Sequence, residues 1–550
     1  MEQTQKYRRM QVPTQDGGTL IEPAWSSLPQ VVADNRAAIQ QADLEIQGTS
    51  LAELATGARR DLLASAASYT AGYHRLPSKL ASVSMQELPT LIFAGHQPQL
   101  FHLGVWYKNF AIAELSHLIN GIAVNLTIDG DLCRMVSTHV PTGSYDQPQI
   151  ASVDYDRPTL PLPYEERAVC DEGIFSSFAT RVLDRVGDLI PDPMVESFWP
   201  IVLARYQHES NLGRALAQAR HQMEGQFGDA NGGIESLEVP QSMVCQLTIF
   251  HQFVAQLLVS LPRFVKVYNH ALQEYRQAHR LRNMAHPVPN LSERGGWLEA
   301  PFWIWSKADP RRRPLFARPG TGKILVGDQA KEEHKILLGP GGELTSAVEQ
   351  LQQLAERGIK IRTRAITTTL FARLFLADLF VHGIGGSKYD EVTDQIIRGF
   401  YNVNPPRYAT ISATKQLPIE HPSVTPDHTR QLQQQLREMT FHPERFTDLQ
   451  HSEPDRMSTL ASILAEKAKW VKTPKTPENA AQRHQAIVQA NRDLKPFLAG
   501  KRAALTDQYD RLVQQLCASS VLDSREYAFC LFPMRSLKAF LLDFRKTGLS

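Results

Sequence analysis

The feature that most constrains the fold is a strand–helix–strand pattern in residues 91–128. The run Leu91–Ala94 is short and apolar and is followed by a glycine and a proline, which indicates a buried strand that ends in a tight turn. Apolar residues then recur at helical spacing from Val105 to Ile119. Residues 122–128 are again mainly apolar and predict a second buried strand. Such a unit normally forms a right-handed parallel crossover.

A second pattern of this kind lies about 270 residues downstream, in residues 359–412. Residues 359–362 alternate as in a strand, residues 366–374 follow helical spacing, and Leu379–Val381 predicts a strand before a glycine-rich turn. A further helix and a strand, Tyr408–Ser412, follow. We therefore expect both units to belong to one α/β body with a parallel sheet.

The rest of the chain predicts helical additions to that body. We expect a polar and helical segment at 1–89 that packs on the core, core halves at 90–165 and 291–420, a helical insertion at 166–290 and a helical region at 421–550. In the last region, Leu505, Tyr509, Leu512 and Leu516 form a coiled-coil-like seam. Pro474, Pro477 and Pro496 limit the length of any single helix, so we expect an antiparallel helical hairpin.

Composition narrows the classes of partner. A net charge of +2 over 550 residues gives no electrostatic reason to expect a nucleic acid or an anionic membrane. The start of the chain is polar, and no segment is apolar enough to cross a bilayer. The five cysteines are scattered without a CxxC pair, which favours neither a zinc site nor a disulfide framework and fits a reducing cytoplasm.

The first candidate loop runs from Gly95 to His102, between a strand and a helix. In open α/β sheets ligands bind at such strand ends, where a helix N-terminus offers free N–H groups. His96 and His102 could contact phosphate or act as acid and base. The alternative is a proline-containing turn with two surface histidines. The ligand-binding candidates here are Gly95, Gln97, Lys108 and Asn109.

The second candidate loop is Asp129-Gly130-Asp131, at the end of the next strand. Neighbouring carboxylates can hold Mg²⁺ through water, bind an amine or orient a hydroxyl group. Aspartate and glycine are also common turn formers, so a structural turn is the alternative. We assign Asp129 and Asp131 as catalytic candidates and assign no set of metal ligands.

The third candidate loop follows the strand at Leu379–Val381. Its glycines allow close approach of the backbone to a ligand, and a helix N-terminus suits a phosphate or carboxylate, although neither nucleotide fingerprint is met. A structural tight turn is the alternative. Arg362 and Arg364 could clamp an anion or could simply be solvated. The candidates of this loop are His382, Gly383, Gly385, Gly386, Ser387, Lys388 and Tyr389.

Other features carry weaker signals. Residues 299–305 predict a packed strand in which both tryptophans are core residues, and Arg311–Arg313 predict a solvated loop. No cysteine lies in the three loops, although Cys133 follows Asp131 closely, so a cysteine nucleophile is a minor alternative.

At the three loops the sequence resembles the bacillithiol biosynthesis enzymes that are thought to add cysteine to glucosaminyl-malate. The positions that match the family's motifs are Gly95, Gln97, Leu100, Phe101, Tyr107, Lys108, Asp129, Asp131, Gly383, Gly385 and Tyr389. His96 stands where the family has Gln, and Gly130 and Gly386 replace a His and a Glu. The resemblance implies a Rossmann-like core with helical insertions, a C-terminal coiled coil and ligase-like chemistry. The first loop also resembles the His-Gln-Pro turn of WbqC-like proteins.

The leading hypothesis is a cytoplasmic enzyme that binds a nucleotide such as ATP or ADP and condenses or transfers an amino-acid-like or acyl group onto a small polar acceptor. One alternative is a non-catalytic protein that binds a small ligand or assembles as a homodimer through its C-terminal helices. The other is a glycan-related transferase, which depends on the first loop alone. We expect no nucleic-acid or membrane partner.

Overall fold

The computed structural model describes residues 10–82, 88–228, 234–421, 424–447 and 454–544. The chain divides into two compact units. Unit 1 comprises the described residues up to Val140, Ala151–Pro418 and the described residues from Arg525 onwards, and unit 2 comprises Pro141–Ile150 and the described part of Ile419–Ser524. The predicted C-terminal region, 421–550, thus contributes to both units.

The strands are β1 Thr19–Glu22, β2 Glu45–Ile46, β3 Thr49–Ser50, β4 Leu91–His96, β5 Ile122–Thr127, β6 Leu132–Cys133, β7 Ser137–Gly143, β8 Pro148–Asp154, β9 Leu162–Pro163, β10 Leu237–Pro240, β11 Glu293–Arg294, β12 Trp297–Ser306, β13 Arg313–Gly320, β14 Lys323–Gly327, β15 Glu333–Leu337, β16 Ile359–Thr363, β17 Leu379–His382 and β18 Ala409–Ala413.

The α-helices are α1 Leu28–Gln40, α2 Leu51–Ala71, α3 Leu103–Leu118, α4 Glu172–Ser176, α5 Phe178–Val186, α6 Val195–Glu209, α7 Leu212–Glu224, α8 Gln241–Val244, α9 Thr248–Val259, α10 Leu261–Ala278, α11 Thr345–Glu356, α12 Ala365–Phe371, α13 Ile384–Ile396, α14 Pro426–Phe441, α15 Pro454–Lys472, α16 Ala480–Leu522 and α17 Met534–Leu542. No helix in the described ranges has the length and apolar character needed to span a membrane.

A six-stranded sheet forms the centre of unit 1, in the order β1-β18-β17-β4-β5-β10. All neighbours pair in parallel except β1, which is antiparallel to β18. The mixed α/β class is therefore confirmed, with a mostly parallel sheet. Every residue of β5 is buried, as expected for a central parallel strand covered on both faces.

The sheet has a topological switch point between β4 and β17. The chain leaves β4 through α3 to β5 on one side, and it leaves β17 through α13 to β18 on the other side. Phe93 and Phe380 pair in register and share a core with Val392 and Ile396 of α13, whereas no residue of α3 belongs to that core. The helices α3 and α13 therefore cover opposite faces of the sheet, as two right-handed crossovers that run in opposite directions require.

The second sheet of unit 1 is antiparallel, in the order β11-β12-β13-β14-β15, and β16 pairs with β12. The predicted packed strand at 299–305 is confirmed as part of β12. The expectation that residues 359–362 belong to the parallel body is wrong, because β16 joins this second sheet. The alternation of apolar and charged residues correctly predicted a strand. The strand with which it pairs depends on contacts between residues that are distant in sequence.

The insertion predicted at 166–290 contains helices α4–α10 and also β10, which completes the central sheet beside β5. A four-residue strand with a buried Glu238 lacks the usual apolar signal. The break expected at Pro262 is confirmed, because α9 ends at Val259 and Pro262 occupies the first turn of α10.

In unit 2, α14, α15 and α16 are the helices of the C-terminal region. Pro474 and Pro477 lie between α15 and α16, as expected for helix breakers. Pro496 instead lies inside α16, which runs for 43 residues, so the expected helix break there is wrong. The seam from Leu505 to Leu516 is half-buried along α16.

Candidate functional site

The switch point brings the first and third candidate loops to neighbouring strand ends. Val381 pairs with Ala94, so His382 and Gly95 occupy the next position of the same ladder. His96 alternates with Gly95 and belongs to the α3 face, whereas His382 shares the face of Phe380 and α13. Two loops that are about 290 residues apart in sequence therefore flank the switch point of the sheet, with a histidine on each face of the sheet.

His96 is a buried, neutral base. Its Nδ1 donates to the carbonyl oxygen of Gln97 at 3.2 Å, so Nε2 carries the lone pair. Burial, and then the positive charges of Arg220 and Lys108, lower the pKa of His96 well below its ordinary value. Nε2 is buried and has no hydrogen-bond partner among the described residues. The edge of the ring contacts Phe101, with ring centroids 4.8 Å apart.

Lys108 points back at the strand end. Its Nζ donates to the carbonyl oxygen of Gly95 at 3.1 Å. Burial lowers the pKa of Lys108 to about 8. A buried amine that is held by one carbonyl group, rather than by a carboxylate, keeps much of its capacity to neutralise an incoming anion.

A buried polar layer continues from Asn109 on the same face. Glu224 Oε1 accepts from Asn109 Nδ2 at 2.7 Å, from Trp106 Nε1 at 2.7 Å and from Arg220 Nη1 at 2.5 Å. Arg220 also pairs with Glu238 of β10, and burial raises the pKa of Glu238 to about 7. The contact with Glu224 fixes the Asn109 amide and uses its Nδ2, so its Oδ1 has no hydrogen-bond partner among the described residues.

Several polar atoms on this face have no hydrogen-bond partner in the described part of the chain, although each is buried. They are His96 Nε2, Asn109 Oδ1, Asn125 Oδ1, Thr127 Oγ1 and Glu224 Oε2. His96 and Thr127 pair directly across the β4–β5 ladder, and Asn125 lies on the same face. Unsatisfied buried polar groups are costly, and native structures retain few of them without a reason.

His102 begins α3 as its N-cap. Its Nδ1 accepts from the Gly104 amide at 3.0 Å, and Arg525 Nη2 lies 3.5 Å from the same nitrogen. Burial lowers its pKa. A side chain at Gly104 would meet the Ala413 carbonyl oxygen at 2.5 Å, so only glycine fits there. His102 therefore fixes the start of the helix, and the structure does not bring it to His96 through a hydrogen bond.

Asp129 and Asp131 have different environments. Asp129 is buried and accepts from the amide of Ser242 at 2.8 Å and from its hydroxyl group, at the start of α8. Burial and the nearby charge of Glu165 raise the pKa of Asp129 to about 6. Asp131 accepts from Gln97 Nε2 at 3.0 Å and from Arg312 Nη1 at 2.9 Å. Although burial opposes it, these contacts lower the pKa of Asp131.

The two carboxylates therefore do not act as a pair. In the described ranges, no group of three or more His, Cys, Asp or Glu residues is arranged to hold a metal ion.

Arg362 and Arg364 already hold carboxylates of the chain. Arg362 forms a bidentate pair with Glu165, at 2.8 and 2.9 Å. Arg364 donates to Glu299 at 2.7 Å and to the carbonyl oxygen of Phe302 at 3.1 Å. Neither arginine is simply solvated, and the predicted anion clamp is occupied by side chains of the chain itself.

Arg312 corrects the expectation of a fully solvated arginine loop. Its side chain is only 10% exposed and pairs with Asp131. The guanidinium groups of Arg312 and Arg364 lie 4.3 and 4.2 Å from the ring centre of Trp303. Trp303 is half-buried rather than a core residue, whereas Trp305 is buried.

The third loop is shorter than expected because α13 begins at Ile384. Gly385, Gly386, Ser387, Lys388 and Tyr389 therefore lie in the helix and not in a turn. Ser387 Oγ donates to the Ile384 carbonyl oxygen at 2.9 Å, and Tyr389 packs partly against the core. The N-cap, Gly383, provides no side-chain cap, and Gly385 and Lys388 are exposed.

His382 forms a contact that the sequence did not indicate. Its Nε2 lies 2.6 Å from Asp390 Oδ2, and Arg373 Nη1 donates to the same oxygen at 3.1 Å. Arg373 also pairs with Asp394 at 2.5 Å. Although burial opposes it, the contact with His382 and the charge of Arg373 lower the pKa of Asp390. The only sequence feature that could have indicated this contact is the spacing of eight residues between His382 and Asp390, which spans a strand end and two helical turns.

A scan against protein-family models finds no match to this chain, and a search of the curated proteins finds no significant match.

Proposed function

We propose that this chain is a cytoplasmic enzyme with a Rossmann-like core that binds a nucleotide and condenses or transfers an acyl or amino-acid-like group onto a small polar acceptor. The bacillithiol cysteine-adding enzymes, which the sequence resembles at its three loops, are the model for this reaction class. The proposal concerns the class of reaction and leaves the acceptor to be identified.

The observation that carries the proposal is the switch point between β4 and β17. Ligands of open α/β sheets bind outside the carboxyl ends of the strands at the position where the connections diverge to opposite faces. The loop at His96 and the start of α13 flank this position. Two separate sequence patterns thus supply the two walls of one crevice, which supports a small-molecule site there.

Each wall has suitable chemistry. On the α13 side, the uncapped helix start at Gly383 and the exposed Lys388 suit the phosphates of a nucleotide. On the α3 side, His96 Nε2, Asn109 Oδ1 and Thr127 Oγ1 are enclosed by the chain, whereas the side chain of Asp131 in the adjoining loop is 36% exposed. This carboxylate can accept hydrogen bonds from the N–H or O–H groups of an amine-bearing or hydroxylated acceptor molecule.

The geometry changes the expected roles of two residues. His102 is better assigned to positioning α3, and Asp129 to holding α8, because their contacts lie within the chain. Asp131 stays a ligand-binding candidate, since its side chain is 36% exposed and is oriented by Gln97 and Arg312.

Thermal denaturation with ATP and with ADP tests the proposal. We expect each nucleotide that binds to raise the Tm of the wild-type protein, because binding to the folded state stabilises it. Lys388→Ala should weaken this effect, while Lys335→Ala, an exposed lysine on β15, should not. No change in Tm with either nucleotide would contradict the proposal.

A second candidate function is assembly as a homodimer through a coiled coil of the C-terminal helices. Phe441 and Val471 of unit 2 are 58% and 51% exposed, and Leu512 is half-buried in the α16 seam. Light scattering after size exclusion tests this candidate. Leu512→Glu should convert a dimer to a monomer and the control Gln508→Glu should not; a monomeric wild-type protein would remove the candidate.

A further inference from the structure

We propose that His382 is the acid–base residue of the crevice, that Asp390 positions it, and that Gly386 leaves its Nδ1 open to the substrate. On this view His382 is a catalytic residue and Asp390 a positioning residue. The identity of the substrate rests on the proposed function above, but the arrangement of the three residues does not.

The tautomer follows from the contact with Asp390. A carboxylate only accepts hydrogen bonds, so the proton of the neutral ring is on Nε2, which lies 2.6 Å from Asp390 Oδ2. The lone pair is then on Nδ1. A base whose other nitrogen is held by a buried carboxylate is the arrangement that orients histidine in proton transfer.

The aspartate is itself held in place. Asp390 is fully buried, and Arg373 donates to the same oxygen that accepts from His382. Arg373 is oriented in turn by Asp394 and by the carbonyl oxygen of Pro406. Because Arg373 fixes the carboxylate that holds Nε2, the imidazole ring has one orientation, between Phe380 and Tyr408.

The other nitrogen of the ring is free. Nδ1 has no hydrogen bond to any described residue, and it is not among the fully enclosed polar atoms. A Cβ atom at Gly386 would lie 2.7 Å from Nδ1, whereas a Cβ atom at Gly385 would meet nothing within 4 Å. Gly386 therefore keeps one approach to Nδ1 clear, in a helix where alanine would otherwise be preferred.

The position of His382 in the fold also supports an acid–base role. His382 is the last residue of β17, at the switch point, beside the open helix start at Gly383. In the proposed step, the attacking amine or hydroxyl group of the acceptor loses its proton to Nδ1. The electron pair of the broken N–H or O–H bond stays on the nucleophile, and the resulting imidazolium is paired with Asp390.

Modification by diethyl pyrocarbonate, mapped by mass spectrometry, tests whether Nδ1 is open. The reagent acylates unprotonated imidazole nitrogens, and His270, whose side chain is 70% exposed, serves as an internal reference. We expect His382 to be modified in the wild-type protein and in Gly385→Ala, and the modification to be lost in Gly386→Ala. Equal modification in the two variants, or none in the folded wild-type protein, would overturn the proposal.

Nitrogen-15 NMR of the imidazole rings tests the positioning role. Asp390→Asn and Asp394→Asn each remove one carboxylate from Arg373, but only Asp390 contacts His382. We expect the wild-type protein and Asp394→Asn to carry the proton on Nε2, and Asp390→Asn to move it to Nδ1. The same tautomer in all three proteins would show that Asp390 does not position the ring. Neither experiment needs a nucleotide, so its result is independent of nucleotide binding.

Discussion

Gln97 Nε2 donates to Asp131 Oδ2 across 3.0 Å and so joins the loop after β4 to the loop after β5. Arg312 holds the other carboxylate oxygen of Asp131. The first two candidate loops thus form one surface, and its central carboxylate is ionised and fixed. By contrast, Asp129, two residues earlier, is turned inward to Ser242. This contrast gives the first prediction.

Asp129→Asn should change the pH dependence of stability. The folded-state pKa of Asp129 is about 6, above its ordinary value of 3.8, so the native state holds a proton that the unfolded chain releases. The contribution of protonated Asp129 to the free energy of unfolding is therefore fully present below about pH 4 and is lost as pH rises towards 6. Relative to the wild-type protein, Asp129→Asn should gain stability from pH 4 to pH 7, measured by urea denaturation. The pKa of Asp131 is instead lowered, so its contribution to stability is present above about pH 4 and is lost at lower pH. Asp131→Asn should therefore lose stability relative to the wild-type protein as pH rises to about 4, with no further trend from pH 4 to pH 7.

Lys108→Met should stabilise the protein. Burial lowers the pKa of Lys108 to about 8, so its charge is disfavoured in the folded state at neutral pH. An apolar side chain of similar length removes that cost, and we expect a gain of about 1 kcal/mol or more at pH 7. A destabilised Lys108→Met would show that the lysine is structural.

His102→Ala should cost about 1 kcal/mol of stability through loss of the N-cap of α3. Asparagine also caps helices well, so His102→Asn should restore most of that stability and retain nucleotide binding. Thermal denaturation and a nucleotide titration check both parts. If His102→Asn is stable but does not bind, His102 contacts the ligand after all, and its assignment to helix capping is wrong.

Pro496→Ala should stabilise α16. Proline inside a helix removes one hydrogen bond and strains the preceding turn, at a cost of about 3 kcal/mol in a regular helix. Pro496 is exposed, so no packing is lost on substitution. We expect a higher Tm for the transition of unit 2 in calorimetry. Pro474→Ala, which lies between two helices, is the matched control and should change little.

Local pattern was enough to predict the elements that form the switch point. The run Leu91–Ala94 became β4, the helical spacing after Val105 became α3, and Leu379–Val381 became β17. Each is short or strongly periodic and has glycine or proline at its boundary, so sequence alone defines it.

Features that depend on distant contacts were not predictable. β10 contains Glu238, whose burial is possible because Arg220 lies beside it. The role of Arg312 depends on Asp131, 181 residues away. Gly385 and Gly386 suggested a turn because glycine disfavours helices, yet Gly386 fits the helix at the point where it faces His382. In each case the role of the residue depends on the residue that it contacts, and the spacing in sequence does not identify that contact.

Hydrogen–deuterium exchange with and without ADP is the most direct test of the central claim, that a nucleotide binds in the crevice between β4 and β17. We expect ADP to slow exchange in two separate segments, residues 95–104 and 383–390, because they flank the same switch point. Slower exchange in both segments would support the claim. Unchanged exchange in both, or protection confined to unit 2, would contradict it.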